Sequence, residues 1–246
     1  MTRTAVVTGA SSGIGAATAR RLAADGFHVI CVARRRELLE DVAQEIGGTA
    51  VVCDTTDAAQ VATLAEAAGS TLDVLVNNAG GALGADPVAE GSVADWKAMF
   101  DMNVVGTLQV TQALLPALVA SGDGLLVNIT STAAHEAYAN GSGYTVSKAG
   151  VSVLTRMLRQ EILGQPVRIT ELAPGMVATE EFGLRRFAGD RARRDATYAG
   201  VPGPLTAADV ADTVGWIAAL PWHVNIDLLV LKPRDQASQT QINRLT

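Results

Sequence analysis

Short apolar runs alternate with longer stretches of helical spacing along the whole chain. TAVVT at 4–8 leads through GASSGIG into a helical pattern that ends near Asp25-Gly26. The runs HVICVA (28–33), AVVCD (50–54), DVLVNNAG (73–80), LLVNITS (125–131), VRITELA (167–173) and NIDLLVL (225–231) follow, most of them separated by helical patterns. Continuous apolar runs of this length read as buried strands, and strands alternating with helices read as an open parallel sheet. From Ser92 to Ala120 the spacing is helical, with Trp96, Met99, Phe100 and Leu108 placed for burial. Asn103 interrupts that face. An asparagine inside a helix is unfavourable unless its side chain has a partner, so Asn103 is expected to hold water or backbone. The last helix spans roughly 206–219, and a polar tail runs from Lys232 to Thr246.

Composition narrows the partners. At 246 residues without a composition break, the chain reads as a single domain, 1–246. A formal net charge of −6 and a pI near 5.1 argue against nucleic acid or an anionic membrane as the main partner, since both reward a basic surface. Small molecules are the expected ligands. Cys31 and Cys53 both fall in strand-like runs, which predicts two buried free thiols and a reducing, cytoplasmic setting. No charged leader followed by a long apolar segment opens the chain, and no 18 consecutive apolar residues occur, so neither secretion nor spanning is expected. His28, His135 and His223 lack metal-ligand spacing, and no metal is expected.

The candidate chemistry collects at the strand ends. After the first strand, Gly9, Gly13 and Gly15 permit respectively a turn, a close approach of backbone to phosphate, and close helix packing, with Ser11, Ser12 and Ile14 between them. Helix amides then face an anion; a merely tight structural turn would use the same glycines. The second strand runs straight into Arg34-Arg35-Arg36, where an acidic residue would bind the ribose of NAD and arginine would pair with the 2′-phosphate of NADP. The alternative is a solvated basic helix start, though the first turn of a helix disfavours cations. The third strand delivers Asp54 and Thr55, Asp54 facing an adenine amino group, unless Asp54 or Asp57 only caps the next helix. The fourth ends in Asn77, Asn78, Ala79 and Gly80, which suit a cofactor-facing wall or a plain turn.

Tyr144 and Lys148 stand four apart at the head of a helical run, on one face, and Ser131 precedes Tyr144 by thirteen residues at a strand end. An ammonium beside a phenol favours the phenolate, making Tyr144 an acid/base candidate and Ser131 a carbonyl holder. The same spacing also suits an ordinary exposed pair. His135, four residues after Ser131, is a candidate for facing substrate. Beyond VRITELA, Pro174, Gly175, Val177 and Thr179 are placed to bind the nicotinamide amide and pyrophosphate. Residues 180–204, rich in arginine and poor in apolar anchors, read as a mobile lid that selects anions or as a solvated charged face. The tail is too polar to fold alone and is free to cross to another subunit.

Taken in order, the turn Thr8-Gly9 to Gly13-Ile14-Gly15, Asn77-Asn78-Ala79-Gly80, Asn103, Ser131, Tyr144 with Lys148, and Pro174-Gly175 resemble the short-chain dehydrogenase/reductase family over essentially the whole chain. The resemblance implies an α/β fold, a Rossmann-like doubly wound parallel sheet of seven strands with helices on both faces, and a homotetramer or homodimer. It implies that Tyr144 is the general acid/base and Ser131 orients the carbonyl. Lys148 would hold the nicotinamide ribose and lower the tyrosine pKa, and Asn103 would hold a relay water. NNAGGALGADP, the segment from Glu180-Glu181-Phe182 to Arg186-Phe187, and LPWHVNIDLLVLKPRDQA are further similar to NADP-dependent 3-hydroxy acid (serine or allo-threonine) dehydrogenases. That subgroup points to Arg186 as a carboxylate clamp, while Gly183 and Arg185 depart from its pattern.

The activity this implies is hydride exchange between NADP(H) and an alcohol or carbonyl, with Tyr144 exchanging the proton. One rival keeps the chemistry on a larger ketone or aldehyde; another is an NADPH-binding sensor without turnover.

Overall fold

The computed structural model describes residues 2–245. Seven parallel strands form one sheet in the order β3-β2-β1-β4-β5-β6-β7. They are β1 (Thr4–Thr8), β2 (His28–Ala33), β3 (Thr49–Val52), β4 (Val74–Asn77), β5 (Gly124–Ile129), β6 (Val167–Pro174) and β7 (Leu228–Leu231). β1, β4, β5 and β6 are buried along nearly their whole length, which is why they read as largely apolar runs, although Asn77, Asn128, Arg168, Thr170 and Glu171 are buried polar exceptions within them. The strand order reverses direction between β1 and β4. At that switch point the loops beyond the two carboxyl ends diverge and leave a crevice.

Helices cover both faces. On one side α1 (Gly13–Ala24), α2 (Arg36–Ile46) and α9 (Ala207–Ala218) close a core around Val7, Leu22, Val29, Leu39, Val76, Val127, Leu172 and Val214. On the other, α3 (Ala58–Ala68), α5 (Gly106–Ser121) and α6 (Ser142–Glu161) cover Val6, Ile30, Leu75, Leu126 and Ile169. α1 packs directly on α9, where Gly215 leaves room for the Arg21 side chain.

The helical stretch after Ser92 is not one regular helix. α4 (Val93–Phe100) passes through a π-helical turn, Asp101–Val105, into α5. Such turns insert a residue into the ladder and re-aim side chains, and Asn103 sits at its centre. Only Met99 of the four expected core positions is fully buried; Phe100 is 46% and Leu108 37% exposed. The run Val93–Ser121 is long and apolar enough to cross a membrane by composition alone, yet Val110, Leu114 and Leu118 are buried within this protein's own core.

The lid is helical rather than loose: α7 (Glu180–Arg186) and α8 (Arg191–Tyr198). The polar tail folds back on its own chain rather than reaching away. Gln236 Oε1 accepts from the Met176 N–H at 2.8 Å, the Gln239 N–H donates to Glu136 at 2.9 Å, and Arg244 donates to the carbonyls of Thr197 and Ala199. Polar side chains anchor it where an apolar face could not.

Candidate active site

A cavity of about 1080 Å³ opens over the carboxyl ends of the strands, spanning the switch point. Its floor is the turn after β1. Gly9 has φ +69°, and a Cβ there would lie 2.7 Å from Asn78 Nδ2; a Cβ on Gly15 would overlap the Gly9 carbonyl. Gly9 and Gly13 line the cavity, whereas Gly15 works behind it by letting α1 sit against the turn. Thr8 ties this turn to the next wall, its hydroxyl accepting from the Asn78 and Ala79 N–H groups at 2.9 Å. α1 begins without a side-chain cap and without an acidic residue in its first turn. Its free amides therefore present partial positive charge to the cavity.

Arg34 and Arg35 line the cavity beyond β2, while Arg36 pairs with Glu40 on the outside of α2. Arg35 donates to Glu181 at 2.7 Å and to the Ser11 and Ser12 hydroxyls at 2.9 and 2.8 Å. Ser12 also donates to Glu181 at 2.8 Å. The carboxylate of α7 thus sits in a cradle of one guanidinium and one hydroxyl, and those donors hold it below the usual carboxylate range against the opposing effect of burial. Asp54 and Thr55 line the wall beyond β3. Burial would raise the Asp54 carboxyl, but the Thr56 N–H and hydroxyl and the Arg34 charge more than offset it. Asp57, not Asp54, caps α3, accepting from Ala59 and Gln60.

Asn78, Ala79 and Gly80 form the wall after β4, but Asn77 does not: it is buried and donates to Thr111 and Asn128 at 2.9 and 3.0 Å. Asn103 stands behind that wall. Its Oδ1 accepts from the Gly81 N–H, and its Nδ2 donates to the Gly81 carbonyl and to Ser147. The side chain is thereby committed to protein partners and does not line the cavity, which is the backbone-holding alternative expected for an asparagine inside this helical stretch.

Ser131, Tyr144 and Lys148 do meet, all lining the cavity and all buried. β5 delivers Ser131, which caps a short 3₁₀ turn at Thr132–Ala134 by accepting from the Ala133 N–H at 3.1 Å. α6 supplies the other two from its first two turns. Gly143, between Ser142 and Tyr144, lets this helix press on α4, since a Cβ there would come within 3.0 Å of Trp96 and Met99.

The electrostatics differ from the expectation in one respect. Burial pushes the Tyr144 phenol up to about 12, with Ser131 and the Arg186 charge working against it. Lys148 is not among the groups that pull it down. Its Nζ donates to the Ile129 carbonyl at 2.9 Å, and burial lowers the ammonium to about 8 although the Glu171 carboxylate opposes that. Two buried groups are each driven towards neutrality because no strong charge partner compensates for lost water.

His135, expected to face substrate, is turned away from the cavity. Its Nε2 lies 2.9 Å from buried Glu171, which also accepts from Thr130 and Ser152, and the imidazole does not line the cavity. Pro174, Gly175, Val177 and Thr179 line the opposite wall, with Gly175 so close to Gln236 that a Cβ there would displace the glutamine amide. Arg186 reaches from the lid, donating to the carbonyls of Gly84 and Asn140 at 3.1 Å, with its guanidinium 6.0 Å from the Tyr144 ring centroid. Phe182 meets that ring edge-on at 5.5 Å.

Sequence reasoning passed over Tyr138, Phe182, Tyr198, Gln236, Gln239 and Arg244, all of which line the cavity. Phe182 and Tyr198 carried a signal, as aromatics within a largely polar segment; the tail residues carried none, because their placement depends on contacts far along the chain.

The chain matches the short chain dehydrogenase family over residues 3–186. It is 58% identical over 239 residues to an uncharacterized oxidoreductase of Mycobacterium tuberculosis strain H37Rv, covering 97% of this chain and 94% of the relative. It is 42% identical over 242 residues to the serine 3-dehydrogenase of Agrobacterium fabrum, covering 96% of each. Among solved structures, the closed form of serine dehydrogenase complexed with NADP+ superposes with a TM-score of 0.92 at 36% identity, covering 99% of both chains. Fold, strand-end chemistry and these likenesses agree, and the chain belongs to the short chain dehydrogenase family.

Proposed function

We propose that this protein is an NADP(H)-dependent oxidoreductase that interconverts a small 3-hydroxy acid with its carbonyl form. The observation that carries this reading is the convergence of Ser131, Tyr144 and Lys148 at one end of a cavity whose other end offers Arg34, Arg35 and the free amides of α1. That second end fits a phosphorylated dinucleotide: the Arg35 guanidinium with the Ser11 and Ser12 hydroxyls, and Arg34 beside it, suit the 2′-phosphate, and the side-chain-free Gly9 and Gly13 leave the turn before α1 open to a pyrophosphate. Ser11, Ser12, Gly9, Gly13 and Ile14 would hold the cofactor from below, Asp54, Thr55, Asn78, Ala79 and Gly80 at the adenosine side, and Pro174, Gly175, Val177 and Thr179 at the nicotinamide side.

When bound, NADP(H) supplies or accepts the hydride, and its oxidised ring brings a positive charge beside the tyrosine. Everything else falls to the chain. Tyr144, protonated at neutral pH because burial holds it so, donates to a carbonyl oxygen as charge develops there, and Ser131 donates a second hydrogen bond to the same oxygen. In the oxidising direction Tyr144 must take the alcohol proton. Lys148 would hold the nicotinamide ribose through an ammonium already fixed by Ile129. Phe182 and Tyr138 exclude water from the reaction centre.

Arg186 gives the substrate its chemistry. A guanidinium beside the Tyr144 ring and open to the cavity suits a carboxylate a few ångströms from the reacting carbon, and the serine 3-dehydrogenase relative acts on such a molecule by name. The sensor reading loses ground because buried Tyr144 and Lys148 carry a desolvation cost that mere binding does not require. Two exposed apolar surfaces support a homo-oligomer: Phe100 and Leu108 with Val146, Val153 and Met157 on α4 to α6, and Trp216, Trp222, Leu228 and Val230 around the β7 edge. The buried thiols of Cys31 and Cys53 accord with a reducing, cytoplasmic setting.

The direct test follows reduced-nicotinamide absorbance with NADP and NAD in parallel on L-serine, allo-threonine, 3-hydroxyisobutyrate and neutral ketones. Turnover of the acids with NADP supports the reading; activity confined to neutral bulky carbonyls overturns its substrate half, and preference for NAD overturns its cofactor half.

A further inference from the structure

Five arginines line the cavity, and four of them have oxygen partners. Arg34 faces Asp54 at 3.5 Å and Arg35 pairs with Glu181 at 2.7 Å. Arg186 donates to the Gly84 and Asn140 carbonyls, and Arg244 to those of Thr197 and Ala199. Arg185 is different. Its Nη2 meets only the thioether of Met102, at 3.1 Å, and among the described residues no carboxylate lies within ion-pair distance of it. A sulfur is a weak acceptor, and a guanidinium carries five donors.

The position of this cation is built rather than incidental. Helix α7 is pinned at its start by Glu181, to Ser12 and Arg35, and at its end by Arg186, to the loops of Gly84 and Asn140. Arg185 is held between those pins and laid along Gly81, directly after the Asn78–Gly80 wall, where a Cβ would stand 3.5 Å from its Cδ, Nε and Cζ. Glu181, four residues earlier on the same face of α7, reaches Ser12 and Arg35, which sets Arg185 towards that end of the cavity. After burial, the charges acting on it are those of Arg34, Arg35, Asp54 and Glu181, the adenosine and phosphate end. Tyr144, by contrast, feels Arg186 and not Arg185. Consecutive lid arginines therefore face opposite halves of the site.

Three cations, Arg34, Arg35 and Arg185, gather at this end with only the carboxylates of Asp54 and Glu181 to offset them, and the positive charge left over suits a multiply charged anion. We infer that Arg185 is a phosphate-binding residue, a lid arginine that closes over the dinucleotide and pairs with one of its phosphate groups. This rests on the reading that the cavity takes NADP(H). The phosphate can be the 2′-phosphate or the pyrophosphate; the chemistry is the same, and the two are separable by experiment. It also accounts for a departure from the 3-hydroxy acid dehydrogenase pattern at position 185 that the substrate reading leaves unused.

The test compares the unmodified protein with Arg185→Gln and Arg185→Lys by fluorescence titration with NADPH and with NADH, at several salt concentrations and without substrate. The expected result is at least about a tenfold rise in the NADPH dissociation constant for Arg185→Gln, from loss of one charge-assisted pair. A shallower salt dependence and partial recovery in Arg185→Lys should accompany it, with the melting temperature of the ligand-free protein unchanged. A loss confined to NADPH assigns the 2′-phosphate, and an equal loss for NADH assigns the pyrophosphate. An NADPH dissociation constant within twofold of the unmodified protein overturns the inference, all the more if the Michaelis constant of a carboxylate substrate rises instead. Failure of the unmodified protein to bind NADPH at all overturns the cofactor reading itself.

Discussion

Asn103 and Gly81 hold each other by two hydrogen bonds, Oδ1 accepting from the Gly81 N–H at 2.9 Å and Nδ2 donating to the Gly81 carbonyl at 3.0 Å. The π-helical turn aims this side chain at the backbone that follows the Asn78–Gly80 wall, and Ser147, one residue before Lys148, takes the remaining donor. Asn103 thus couples the cofactor wall to the helix that carries Tyr144.

Asn103→Ala should therefore cost stability as well as turnover. Two buried backbone groups lose their partner, at about 3 kcal/mol together, or about 6–12 °C in melting temperature for a domain of this size. Calorimetry of the ligand-free protein checks this. An unchanged melting temperature with reduced turnover would return Asn103 to a purely catalytic role.

Lys148 makes stability depend on pH in a defined direction. Its folded-state pKa, lowered by burial to about 8 from an ordinary 10.5, means that the unfolded chain binds the proton more tightly. The charged lysine destabilises the fold below pH 8 by about 3 kcal/mol, and that cost is relieved as pH rises from 8 to 10.5. Denaturant titrations of the unmodified protein against Lys148→Met should show their stability difference shifting in favour of the unmodified protein across that window. A difference independent of pH would contradict the burial account.

Arg186→Gln separates an acid clamp from a structural strut. The loops that Arg186 holds matter to every substrate, whereas its charge matters only to anions. The Michaelis constant for a 3-hydroxy acid should rise at least about tenfold, with a much smaller change for the neutral alcohol of the same shape. Equal loss on both would mean that the contacts to Gly84 and Asn140 are its whole contribution.

Gln236 tests the folded-back tail. Its Oε1 accepts from the Met176 N–H and its side chain fills the space left by Gly175. Gln236→Ala should loosen the Pro174–Val177 wall and weaken NADPH binding severalfold, with Tyr144 and Lys148 undisturbed. Unchanged binding would mean that the wall stands without the tail.

Sheet and strand-end chemistry were legible because both are local. A strand buried on both faces is mostly apolar, and the residue that follows it stands at the ligand-binding edge. Arg34, Arg35, Ser131 and the Tyr144–Lys148 spacing could be read that way. What could not be read depends on distant partners. The turn of His135 to Glu171 spans 36 residues, and the docking of Gln236 on Met176 spans 60. Phe100 and Leu108 share the apolar periodicity of a core helix yet face outward, since a helix apolar on two sides does not reveal which side meets the sheet. What Lys148 does to Tyr144 in the absence of cofactor was not legible for a related reason. Spacing puts Lys148 beside it, but burial and the Ile129 carbonyl, both tertiary, decide what that lysine does.

In the proposed mechanism Tyr144 exchanges the proton of an NADP-linked reaction, and Tyr144→Phe reads this step when turnover and NADPH dissociation constant are determined on the same preparation. The phenyl ring keeps the contact with Phe182 and loses only the hydroxyl. Turnover should fall at least about a hundredfold with NADPH affinity nearly unchanged. Turnover comparable to that of the unmodified protein would contradict the mechanism.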